Sequence, residues 1–193
     1  MGKGRFEAFS DGVLAIIITI MVLELKVPHE AGIDALQPLL PVFLCYVLSF
    51  VNVGIYWNNH HHMLHTVHRV TGSILWANLH LLFWLSLMPF ATGWMGENHF
   101  ASMPVALYGV VLLMCGVAYK LLTEAIIASQ GPKSLLRTAI GQDSKGWIPL
   151  VLYTTAIPAA FWLPQISLTC YVIVALLWLV PDKRIERVLE AAE

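Results

Sequence analysis

Six stretches of this chain are long and apolar enough to cross a lipid bilayer, and that repetition limits the fold more than any other feature. They cover residues 6–25, 36–57, 72–92, 102–127, 147–163 and 166–180. A spanning helix needs about 20 apolar residues, because the hydrocarbon core is about 30 Å thick and a helix rises about 1.5 Å per residue. The bilayer interior offers no water to the backbone, so each span must pair its own N–H and C=O groups as a helix. Composition agrees: 58% of the residues are hydrophobic and 12% are charged, against about 25% charged in soluble domains. The expected fold is an all-α integral membrane protein. It has six transmembrane helices in one domain over residues 1–193, with a short cytoplasmic tail over 181–193.

Prolines punctuate the spans. Pro28 follows the first, Pro38 and Pro149 suit first-turn positions, and Pro181 closes the sixth. Pro158 lies inside the fifth and is expected to kink it. Little more than Pro164-Gln165 joins the fifth and sixth, which reads as a tight helical hairpin. Cys45, Cys115 and Cys170 each sit in an apolar run without paired spacing, as buried small hydrophobes do. The first run reads as a retained span rather than a cleaved leader. Asp11 interrupts its start, and Glu24 and Lys26 follow where a cleavage site needs small residues.

Charge gives the orientation. With six spans, both termini and the 2–3 and 4–5 connections share one side. That side holds Lys3, Arg5, Arg69, Lys120, Lys133, Arg137, Lys145, Lys183, Arg184 and Arg187, and the other holds Lys26. The positive-inside rule then puts both termini in the cytoplasm. The basic residues follow a membrane face, so nothing points to nucleic acid as a partner.

The first span carries polar groups that an anchor does not need. On a helical wheel, Ile16, Ile20 and Leu23 fall on one stripe, with Gly12 and Thr19 at its edge. Asp11 points away, about 140° from Ile16. An ionisable group inside a span costs about 2.5–3.5 kcal/mol on insertion scales, so it needs a partner. Asn58, His61, His62 and Asn78 come to a similar depth on the second and third spans and are candidate partners for Ser10 or Asp11. A clamp of this kind frees the aliphatic stripe to face lipid, ordinary packing or a pore axis. The pattern alone leaves these alternatives open.

The segment Arg5-Phe6-Glu7-Ala8-Phe9-Ser10-Asp11 fits the R-x-x-x-F-S-D signature of the transmembrane protein 175 family of potassium channels, and the chain resembles its bacterial members. The likeness continues through Gly12, Ala15, Ile16, Thr19 and Leu23. It extends to the YWNNHHHML run at 56–64 and the NLHLLFWLSLMPF run at 78–90. The resemblance implies a homotetramer of single six-helix repeats in the bacterial inner membrane. It implies a central pore lined by first helices, constricted at Ile16 with Thr19, Ile20 and Leu23 further along. It also implies that the motif residues Arg5, Phe9, Ser10 and Asp11 brace the pore helix. The expected activity is a potassium-preferring cation channel that is not an enzyme, with lipid and potassium ions as its partners and no cofactor or bound metal.

The sequence holds no Thr-Val-Gly-Tyr-Gly run, so the carbonyl filter of ordinary potassium channels is not expected. Two other readings remain at this stage. One is a proton- or cation-coupled secondary transporter, suggested by Pro158 and the intramembrane Asn52 and Asn78. The other is a membrane metalloenzyme, suggested by His60, His61, His62, His65 and His68 at helical spacings. Such an enzyme needs further histidine boxes, and His29, His80 and His99 are isolated.

Overall fold

The computed structural model describes residues 2–131, 134–141 and 144–179, and all regular structure within them is helical. Helix α1 covers Lys3–Met21 and runs on as a 3-10 turn, Val22–Glu24. A second 3-10 stretch, Ile33–Leu39, leads into α2, Leu40–His65. Then come α3, Gly72–Ser86, and α4, Met88–Glu97. Helix α5, Ser102–Gln130, is followed by the short α6, Leu135–Ile140. Helices α7, Ser144–Ala159, and α8, Pro164–Leu179, form the closing hairpin. Four rods, with α3 and α4 counted together, reach bilayer length, and α7 and α8 are shorter apolar helices.

Several boundaries differ from the sequence expectation. The third run is two helices rather than one, and it extends to Glu97. Pro89 in the first turn of α4 has no N–H, and Leu87 instead makes a tight bond to the Trp84 carbonyl, 3.2 Å. The second run continues to His65, because its polar residues satisfy themselves on the helix. Asn59 Nδ2, for example, donates to the Ile55 carbonyl at 2.9 Å. Pro158 stands inside α7, in its last turn, one residue before the helix ends at Ala159. Pro149 lies in the helix interior rather than the first turn, and Pro38 falls in the 3-10 stretch ahead of α2. Ser167 on α8 donates to the Ala156 carbonyl at 2.6 Å and pins the hairpin.

The rods alternate in direction. At one end Lys3 Nζ donates to the His65 carbonyl, 3.0 Å, and Gln130 Nε2 to the Thr66 carbonyl, 2.6 Å. At the other end Lys26 pairs with Glu97. The hydrogen bond and negative charge of Glu97 raise the Lys26 ammonium above its ordinary value, so Lys26 stays charged at neutral pH. Pro181, Lys183, Arg184, Arg187 and the tail 181–193 lie outside the described residues, as do Lys133 and the side chain of Lys145.

Helix α5 is the most buried span and packs against α3, α4, α7 and α8. Helix α2 lies across α4, where Gly96 permits close approach: a Cβ there would stand 2.7 Å from the Val42 Cα. Because that neighbour is backbone, Gly96→Ala must push the two helices apart. The expected cost is about 1–3 kcal/mol, the usual range for overpacking a core. Thermal unfolding in detergent measures it, and an unchanged midpoint would show that the α2–α4 contact yields freely. Helix α1 sits at the margin of this bundle, packed against α2, α3 and α4.

Candidate functional site

Helix α1 has two unlike faces. Phe6, Ser10, Leu14, Ile17 and Met21 are buried against the bundle, spaced three and four residues apart. Arg5, Phe9, Gly12, Ala15, Ile16, Thr19 and Ile20 are exposed along the opposite side at the same spacing. Ile16 is 57% exposed and Leu23 is 75% exposed, so their own subunit leaves most of each side chain uncovered. Leu23 belongs to the 3-10 turn rather than to α1, and its direction is set by that turn. The Thr19 hydroxyl donates to the carbonyls of Ala15, 2.9 Å, and Ile16, 3.0 Å. Its proton is thus turned to the backbone, and the oxygen lone pairs face outward.

The buried face holds a polar cluster at 0–1% exposure. Asn78 on α3 donates through Nδ2 to Ser10 Oγ, 2.9 Å, and Ser10 passes its own proton to the Phe6 carbonyl, 3.1 Å. Asn78 Oδ1 faces His60 Nε2 at 2.7 Å. With the amide so oriented, His60 must donate through Nε2, leaving Nδ1 a buried acceptor without a partner. One asparagine therefore ties α1, α2 and α3 together. A second tie lies at the edge of the helix: Trp57 Nε1 donates to Asp11 Oδ1 at 3.2 Å.

The sequence-derived residues divide. Asn78 reaches Ser10. Asn58, His61 and His62 do not bond Ser10 or Asp11. His61 and His62 instead interact with each other, and His61 also meets Trp57 and His65. His60 and Trp57 take their place. The reason is the rotation of α2. Its buried residues Cys45, Ser49, Asn52, Val53, Asn59, His60 and Met63 repeat at helical spacing, and His61 and His62 fall off that line. A wheel drawn for α2 would have picked out His60. Nothing in the spacing of Trp57 marks it as a donor to Asp11.

The motif residues divide as well. Ser10 and Asp11 bond to α2 and α3, but Arg5 and Phe9 lie on the exposed face with the aliphatic stripe. Among the described residues Arg5 makes no side-chain hydrogen bond or ion pair. Within a single subunit, then, Ser10 and Asp11 are tied to the neighbouring helices, and Arg5 and Phe9 are presented outward with Ile16.

A family model described as the endosomal/lysosomal potassium channel TMEM175 matches residues 5–89. A potassium channel from Chryseobacterium sp. (strain P1-3) is 58% identical over 190 residues, covering 98% of this chain and 99% of that one. A potassium channel from Streptomyces collinus is 35% identical over 128 residues, 62% of each chain. The crystal structure of a lysosomal potassium-selective channel TMEM175 homolog from Chamaesiphon minutus superposes with a TM-score of 0.82 at 26% identity. That match covers 93% of this chain and 97% of the other. These relatives are channels, so the histidine run is not the site of an enzyme, and the metalloenzyme reading falls away. The chain is a multi-pass, all-α membrane protein, and it belongs to the TMEM175 family.

Proposed function

We propose that the chain is a potassium channel whose pore forms where copies of α1 meet. The observation that carries this reading is the uncovered stripe of α1, opposite a face tied down by Asn78, His60 and Trp57. A helix turned only toward lipid does not need its rotation held by a buried polar cluster. A helix whose side chains set a pore radius does. Small residues on the stripe, Gly12 and Ala15, permit close approach between helices.

In this reading four copies surround the axis, and Ile16 makes the narrowest ring, with Thr19, Ile20 and Leu23 beyond it. Aliphatic rings give no ligand to replace an ion's water, so discrimination comes from pore width and the cost of dehydration. Potassium sheds water more readily than sodium, which favours potassium, although less sharply than a carbonyl filter would. Thr19 oxygens, with their lone pairs turned outward, spare part of the hydration shell. The protein sits in the bacterial inner membrane with both termini cytoplasmic, as the basic end of the bundle indicates.

The test is flux from liposomes holding the purified protein, with potassium and then sodium as the permeant cation. Potassium flux is expected to exceed sodium flux. Passive flux of neither ion, across several voltages and pH values, would overturn the channel reading and favour coupled transport.

A further inference from the structure

A second cluster lies beyond the bracing network, at the end of α2 that also holds Lys3. Nε2 of His61 and Nε2 of His65 stand 3.1 Å apart, with ring centroids 4.5 Å apart and planes at 74°. Both side chains are exposed, one helical turn from each other. In the absence of an ion the contact is a hydrogen bond, one N–H donating to the other ring's lone pair. When both rings carry hydrogen on Nδ1, two lone pairs converge on one point instead. Two zinc–nitrogen bonds of about 2.0–2.1 Å at near-tetrahedral angles hold their nitrogens about 3.1–3.4 Å apart. The observed separation falls in that range, so an ion can enter with little ring movement.

Among the described residues no group of three or more His, Cys, Asp or Glu side chains could hold a metal. Two imidazoles are thus the protein's share, and water completes the shell. The arrangement suits an exchangeable ion rather than a resident cofactor, and imidazole favours copper, nickel and zinc over magnesium or calcium. The surroundings give the site a second property. The His61 ring stacks on Trp57, with centroids 6.2 Å apart and planes at 29°. Trp57 in turn holds Asp11 on α1. An ion that locks the His61 ring acts on a contact of the helix proposed to line the pore.

We propose that His61 and His65 form an exchangeable site for a divalent transition metal, whose occupancy reaches α1 through Trp57 and Asp11. The link to α1, though not the site itself, rests on the channel reading above.

The first test is binding. Tag-free protein in detergent is titrated with Cu²⁺ and followed by electron paramagnetic resonance, in which nitrogen hyperfine structure reports the ligands. One saturable site per chain at micromolar copper is expected, with two nitrogen ligands. His61→Gln and His65→Gln each weaken it by roughly tenfold or more, whereas His62→Gln leaves it in place. Both residues are exposed, so the variants should retain their fold, and unchanged elution on size exclusion checks this. Absence of a saturable site in the parent protein, or equal loss in His62→Gln, overturns the site. The second test is potassium flux with Zn²⁺ added to the His61 side. Flux is expected to fall in the parent protein and not in His61→Gln. Copper binding without any effect of zinc on flux overturns the link and leaves the site standing. Copper binding with no flux from any sample counts against the channel reading itself.

Discussion

Replacing Ile16 with Asn is expected to lower the ratio of potassium to sodium flux by about tenfold, a change of about 1.4 kcal/mol between two barriers. In the proposed pore, a ring of Ile16 side chains would exclude water because it cannot hydrogen-bond it, so each ion would give up part of its shell to pass. That cost would be larger for sodium, and it would be the source of the preference. An asparagine amide offers a carbonyl and an amino group at the same position. Hydrated ions then pass with less loss of water, and the advantage of potassium shrinks. Ile16 is 57% exposed within its own subunit, so the substitution leaves the subunit core intact. Paired potassium and sodium flux in liposomes measures the effect. An unchanged ratio with unchanged total flux would place the constriction elsewhere on the stripe, and Ile20 and Leu23 would be the next residues to replace.

The second large effect is on stability. Asn78→Ala should cost about 2–4 kcal/mol, well above the mean of about 0.6 kcal/mol for one hydrogen bond between membrane helices. The excess has a local cause. Asn78 is 1% exposed and serves two partners, so its loss leaves the His60 Nε2 donor and one acceptor site of Ser10 empty in a dry interior. Each buried unsatisfied group costs about 1–3 kcal/mol. His60 has no reserve, because its Nδ1 already lacks a partner. Ser10→Ala is the comparison. It leaves one buried group unpaired, the Asn78 Nδ2 donor, instead of two, and the Phe6 carbonyl still accepts from its own helix, so the expected cost is nearer about 1–2 kcal/mol. Thermal unfolding of both variants in detergent gives the difference. Equal midpoints would mean that Asn78 is not the joint between α1, α2 and α3.

Much of the fold was legible in the residues, because the bilayer imposes a length and an apolar composition that short windows report. The α1 stripe was also legible, since a helical wheel needs no knowledge of neighbours. Helix ends were less so. The break at Leu87 and the end of α7 at Ala159 fall beside Pro89 and Pro158, where the backbone bonding changes over single residues that an apolar window does not resolve. The choice of His60 over His61 and His62 turned on about 100° of rotation per residue along α2. A depth argument alone places all three histidines at the same level.

The sequence by itself determined that this chain crosses a membrane as a set of helices, which end carries the positive charge, and which residues of the first helix share a stripe. These follow from one-dimensional quantities: span length, charge order and a repeat of about 3.6 residues. Only the tertiary structure decided that Asn78 joins three helices, that Trp57 rather than a histidine holds Asp11, and that Arg5 and Phe9 stand outside with Ile16. Those outcomes depend on the rotation of each helix against its neighbours, and that rotation is set by packing of the whole bundle at once.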